Sequence, residues 1–125
     1  MLADVGDVGE FEEGRMHIRR AGRWDVGILR LKSRTVAIKN VCPHSGAPLC
    51  LGVVSTALRG LPGLEGHAAQ VDVAEDRLVL ACPWHGWEFD VETGEALVDS
   101  TLRAKVYPVT IVDGRVLVEI PKAGA

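Results

Sequence analysis

Two short segments of the chain share one grammar. Cys42-Pro43-His44-Ser45-Gly46 and Cys82-Pro83-Trp84-His85-Gly86 each set one Cys and one His inside a frame of Pro and Gly. This doubling constrains the fold more than any hydrophobic pattern does, because the four side chains act together only if the chain brings the segments face to face. A lone Cys or His is most often a packed thiol or a hydrogen-bonded imidazole. Two matched pairs are the donor set of a metal centre, either tetrahedral zinc or a [2Fe–2S] centre in which two Cys hold one iron and two His the other. Zinc sites of the finger and ribbon type gather two cysteines in one knuckle and the remaining ligands in the next. Here each segment supplies one of each, so facing segments place both thiolates on one metal and both imidazoles on its neighbour. Gly46 and Gly86 follow the histidines closely, which suits backbone that approaches sulfides and aims N–H groups at them.

The framework around these segments reads as all-β. Short runs rich in Val, Ile and Leu recur, interrupted by Gly, Asp and Pro, which is strand-and-turn punctuation. Strands are predicted over 16–19, 26–31 and 35–38, the last leading into Cys42, and over 70–73 and 77–81, the second delivering Cys82. Residues 87–91 alternate apolar and polar, and Glu92-Thr93-Gly94 turns the chain toward 96–98. Residues 106–112 and 115–120 flank Asp113-Gly114, a strong hairpin signal, and Pro108 marks an edge strand.

At 125 residues the chain has the length of one domain, 1–125, built on one core. With 14 Lys+Arg against 17 Asp+Glu and a net charge of −3, it lacks the cationic excess that nucleic acid or an anionic membrane surface requires. No apolar run reaches the length of a membrane span. The acidic opening, with Asp4, Asp7, Glu10, Glu12 and Glu13, lacks the basic start and apolar core of a secretory signal. Three cysteines without an export signal argue against a disulfide framework, and the expected compartment is the cytoplasm.

The two segments, together with the run Trp87-Glu88-Phe89-Asp90 that follows the second, resemble the Rieske family, whose motif is C-x-H, a spacer, then C-x-x-H. The resemblance covers residues 38–97 closely and implies an antiparallel β-sandwich with an inserted two-loop cluster-binding subdomain over that range. It implies one [2Fe–2S] cluster held by Cys42, His44, Cys82 and His85, with Pro43, Gly46, Pro83, Trp84, Gly86, Trp87 and Phe89 around it. Respiratory and photosynthetic members carry an extra, disulfide-linked Cys in each loop, where this chain has Ala47 and Trp84. They also place a Ser and a Tyr, both hydrogen-bonding to cluster sulfurs, where this chain has Trp87 and Phe89. Losing those two bonds lowers the potential by something on the order of 100–300 mV, so the chain resembles the low-potential ferredoxins of oxygenase systems. The spacer, residues 45–81, is longer than the family's usual length of under about twenty. Extending a flexible loop from about 16 to about 37 residues costs only about 0.7 kcal/mol, so the site tolerates the excess, which falls on Leu51–Gln70 and reads as a surface loop, the alternative being a segment that rims the cluster or contacts a partner.

Cys50 has no counterpart in the second segment and reads as a small buried apolar residue. His17 and His67 read as hydrogen-bonded or surface histidines. An oxygenase would need a further iron site of two histidines and a carboxylate, which these two residues are poorly placed to supply. Trp84 and Trp87 are expected to pack the second loop and exclude water, and Asp90, Glu92 and Gly94 to shape a turn. The resemblance implies a soluble one-electron carrier between a flavin reductase and a terminal oxygenase. Its partner docks where His44 and His85 reach the tip of the domain. The alternatives are an electron-transfer subunit of a multicomponent oxygenase or nitrite-type reductase, and a structural zinc protein.

Overall fold

A computed structural model describes residues 1–56, 78–84, 86–99 and 101–121. Among the described residues ten strands form three antiparallel sheets. In chain order they are β1 (Leu2–Asp7), β2 (Met16–Ala21), β3 (Trp24–Arg30), β4 (Thr35–Lys39), β5 (Val53–Thr56), β6 (Leu78–Ala81), β7 (Glu88–Asp90), β8 (Val106–Tyr107), β9 (Val109–Val112) and β10 (Arg115–Glu119). The sheet orders are β1-β10-β9, β2-β3-β4-β8 and β5-β6-β7.

The middle of the four-stranded sheet, along β3 and β4, is buried on both faces, which explains the nearly continuous apolar run of β3. Strand residues alternate sides. Val26 and Ile28 of β3, with Ala37 of β4, pack against Val5 of β1 and Val116 and Val118 of β10. Leu29 and Ile38 point the opposite way, into a second cluster with Leu78, Leu80, Phe89, Cys42 and Cys82. One face thus makes the sandwich and the other carries the lobe in which the two Cys/His segments lie. Leu29, Ile38, Leu80 and Phe89 are fully buried, and each such side chain stabilises the fold by about 1.5–3 kcal/mol relative to exposure.

The tail hairpin forms as its turn residues require. Val112 pairs with Arg115, and Asp113 (φ 50°) and Gly114 (φ 77°) both adopt the left-handed conformation of a type I′ turn. Pro108 does more than mark an edge. It divides the run predicted over 106–112, so that β8 pairs with β4 while β9 pairs with β10. Lacking an N–H, Pro108 loses nothing at the crossing, and its carbonyl still accepts the Glu119 N–H at 2.9 Å.

Two strands escape the sequence reading. Strand β1, whose Asp4, Gly6 and Asp7 hide the pattern, pairs with β10 through an irregularity between Asp4 and Gly6. Strand β5 lies within the stretch assigned to the spacer excess. Leu51 ends a 3₁₀ turn, and Val53–Thr56 pairs with β6, Val53 opposite Ala81 and Thr56 opposite Leu78. The excess therefore begins after Thr56, not at Leu51. The strand predicted over 70–73, His67 and the rest of the spacer lie outside the described residues. No helix among the described residues is long and apolar enough to cross a membrane.

Candidate metal centre

The two loops are built on one hydrogen-bond frame. In the first, the Cys42 N–H donates to the Ala47 carbonyl (2.8 Å) and the Gly46 N–H donates back to the Cys42 carbonyl (2.7 Å). In the second, the Cys82 N–H donates to the Trp87 carbonyl (2.7 Å) and the Gly86 N–H to the Cys82 carbonyl (2.9 Å). Closing so tight a loop turns the chain left-handed at Gly46 (φ 78°) and Gly86 (φ 73°), a conformation that costs a residue with a Cβ about 1–2 kcal/mol. The delivery differs slightly from the expectation. Cys82 follows β6 directly, whereas Asn40 and Val41 lie between β4 and Cys42.

Side chains join the loops across the gap. Cys42 and Cys82 are buried, at 1% and 2% exposure, in one apolar cluster, and neither is in a disulfide. The Ser45 hydroxyl of the first loop lies 3.6 Å from Cys82 Sγ of the second. The His44 ring of the first stacks on the indole of Trp87 in the second, with centroids 4.0 Å apart and planes 12° from parallel. The loops thus face each other, with the cysteine sulfurs buried and His44 exposed, as are Pro43, Pro83 and Gly86. His85 lies outside the described residues. Two buried cysteine sulfurs outside any disulfide, the Ser45 hydroxyl beside one of them and the mixed sulfur and nitrogen donors fit an iron–sulfur centre.

The two tryptophans part company. Trp87 is half-buried against the core and packs as expected. Trp84 does not: it is 60% exposed, because the tight frame turns the middle of the loop outward. Phe89 is fully buried on β7, opposite Leu80.

Of the residues outside the candidate ligand set, Cys50, His17, Asp90 and Glu92 are described and behave as expected. Cys50 is buried, its thiol donates to the Ile38 carbonyl (3.6 Å), and burial pushes its pKa up to about 12, so it stays protonated. Gly27 makes room for it, since a Cβ there would collide with its sulfur. His17 Nε2 accepts the Glu12 N–H at 3.1 Å and its ring meets Phe11 edge-on at 5.4 Å. Burial, then the charges of Arg19 and Arg15, holds its pKa below the ordinary histidine value. Asp90 Oδ1 accepts the Glu92 and Thr93 N–H groups at 2.8 and 3.1 Å, and Glu92 pairs with Arg34. An open cleft of about 410 Å³, lined by Arg34, Val36, Val91, Tyr107 and Pro108 among others, includes no residue of either loop.

Comparison with known families decides the meaning of this geometry. The Rieske [2Fe–2S] domain model matches residues 2–108. The chain belongs to the Rieske [2Fe–2S] domain family. The cofactor of a Rieske domain is a [2Fe–2S] cluster. Among curated relatives, the chain is 28% identical over 97% of its length to the ferredoxin component of the alkene monooxygenase system of Xanthobacter autotrophicus, covering 85% of that protein. It is 29% identical over 93% of its length to the anthranilate 1,2-dioxygenase ferredoxin subunit of Burkholderia cepacia, covering 89% of it. In fold it matches the ferredoxin of carbazole 1,9a-dioxygenase from Nocardioides aromaticivorans with a TM-score of 0.72, at 23% identity over 97% of this chain and 99% of that one. Within the Rieske family the present loops carry no disulfide, since none of Cys42, Cys50 and Cys82 is bridged to another cysteine.

The sequence pattern alone assigns no contact to Ser45. Its place beside His44 was visible, but its reach to a cysteine in the other loop is not encoded in spacing.

Proposed function

We propose that the chain is a one-electron carrier in which Cys42 and Cys82 hold one iron of the [2Fe–2S] cluster and His44 and His85 the other. The observation that carries this reading is the pair of identical loop frames, each burying one thiol and facing its counterpart through Ser45–Cys82 and His44–Trp87 contacts. Thiols inside and imidazole outside suit two bridged metals at different depths better than one tetrahedral ion. The cluster supplies a one-electron couple whose potential follows ligand charge and hydrogen bonding.

The protein's own residues then set direction and access. Buried Cys42 and Cys82 keep water from the sulfur side, the Trp87 indole holds the His44 ring in orientation, and the exposed surface of Pro43, His44, Pro83, Trp84 and Gly86 is where a redox partner docks. The family relationship and the ferredoxin relatives, which span nearly the whole chain, support electron transfer from a reductase, of the flavin type, to a terminal oxygenase. The whole chain 1–125 is one domain, with residues 38–97 as its cluster-binding region, working in the cytoplasm in a low-potential range.

A reductive titration under argon tests the reading. Uptake of one electron per chain, reversible on reoxidation and accompanied by two irons and two sulfides per chain, is expected. A colourless protein with one zinc per chain and no electron uptake would sink it.

A further inference from the structure

We infer that Ser45 sets the reduction potential of the centre by donating its hydroxyl hydrogen to Cys82 Sγ across the two loops. The inference rests on the proposed ligation by Cys82 and goes beyond it, because Ser45 itself holds no metal. Ser45 Oγ lies 3.6 Å from Cys82 Sγ, within hydrogen-bond range for sulfur. The direction of the bond follows from what else the two atoms do. Ser45 Oγ accepts the Ala47 N–H at 3.4 Å, which occupies one of its lone pairs and leaves its hydrogen to give away. A cysteine sulfur bound to metal has no proton, so it can only accept.

Two features make the contact effective. Ala47 is fully buried and its carbonyl is held by the Cys42 N–H, so the group that orients Ser45 is itself fixed by the first loop. Cys82 is 2% exposed, and away from water a polar contact to a charged atom is screened less. Reduction would make the centre as a whole more negative, so an O–H donor to one of its ligand sulfurs would stabilise the reduced state more than the oxidised one and raise the potential. In the second loop, the residues that flank Glu88, Trp87 and Phe89, carry no hydroxyl. The first loop therefore reaches over to supply one.

The test compares midpoint potentials of the holo protein and its variants, with iron and sulfide measured on each sample. Ser45→Ala is expected to retain the cluster and shift the reduction equilibrium about tenfold toward the oxidised form, about 59 mV lower for one electron. Ser45→Thr is expected to restore most of the shift and Ser45→Val to reproduce the loss. Those two side chains are nearly equal in size and differ in the hydroxyl, so they keep the comparison available if the alanine chain does not assemble. A residue that merely shaped the loop would change thermal stability and leave the potential unmoved. Full cluster content with equal potentials for Thr and Val overturns the role of Ser45 and leaves the cluster reading intact. Absence of iron and sulfide from the wild-type chain overturns both.

Discussion

The first loop, 42–47, and the second, 82–87, close with the same backbone hydrogen bonds but differ in the side chains set between the shared Cys, Pro and Gly positions. Each closes through an N–H from the Cys to the carbonyl five residues on and a return bond from a left-handed Gly. Within that frame His44 stands two residues after its Cys and His85 three after its own. The residue that closes the frame is small and buried in one loop, Ala47, and large and half-buried in the other, Trp87. The Cys and Gly positions thus specify the turn, while the residues between and beyond them are free to divide the work. The first loop sends Ser45 and His44 across, and the second offers a sulfur and an indole to receive them.

If the frames are equivalent, removing either thiol should have the same large effect. Cys42→Ser and Cys82→Ser are each expected to abolish cluster content, read as iron and sulfide per chain; retention in one variant alone would break the equivalence. The tryptophans should separate next. Trp87→Ala, which loses core packing and the His44 stack, is expected to cost about 2 kcal/mol in chemical denaturation, and Trp84→Ala less than about 0.5 kcal/mol; similar costs would show that Trp84 packs after all. Gly46→Ala and Gly86→Ala are expected to cost about 1–2 kcal/mol each and nearly the same amount, because a Cβ at either position meets nothing within 4 Å and only the backbone conformation is strained. Unequal losses would mean that one loop relaxes.

Two smaller effects probe the scaffold outside the loops. The pKa of His17 is depressed in the folded state, so the unfolded chain binds more protons just below the ordinary value of 6.5. Stability from this residue is fully present above that pH and is lost as pH falls through the window between the two pKa values. His17→Gln should flatten that part of the pH–stability curve by comparison with the parent; an unchanged slope would assign it to other groups. Smallest of all, replacing residues 57–77 by a two-residue Asn-Gly turn should leave cluster content and potential unchanged. Thr56 and Leu78 are already register partners at the end of the β5–β6 hairpin remote from Cys82, and such a turn closes a hairpin without strain. Loss of cluster would tie the spacer to the site.

The site was legible in the sequence to the extent that chemistry is carried by residue type and order. Matched Cys, His and Gly positions announced two equivalent loops, and Asp113-Gly114 announced its hairpin. What escaped depends on contacts that no local pattern records. Strand β1 is held by pairing with β10 at the far end of the chain, so its Asp and Gly residues disguise it. Pro108 reads locally as an edge, yet its role at the crossing between sheets follows from the partners of β8 and β9. The outward turn of Trp84 follows from the frame rather than from hydrophobicity. The reach of Ser45 to Cys82 spans the two loops, and a one-residue neighbour of a histidine carries no mark of it.

The central claim, that these two loops place two sulfurs on one iron and two imidazoles on the other, is tested most directly by electron paramagnetic resonance of the dithionite-reduced protein with nitrogen hyperfine couplings resolved. A rhombic signal whose average g lies below that of four-cysteine centres, carrying couplings from two histidine nitrogens of which one is lost in His44→Cys, is the predicted result. A reduced protein with no such signal and stoichiometric zinc, or a cluster signal without nitrogen coupling, would contradict it.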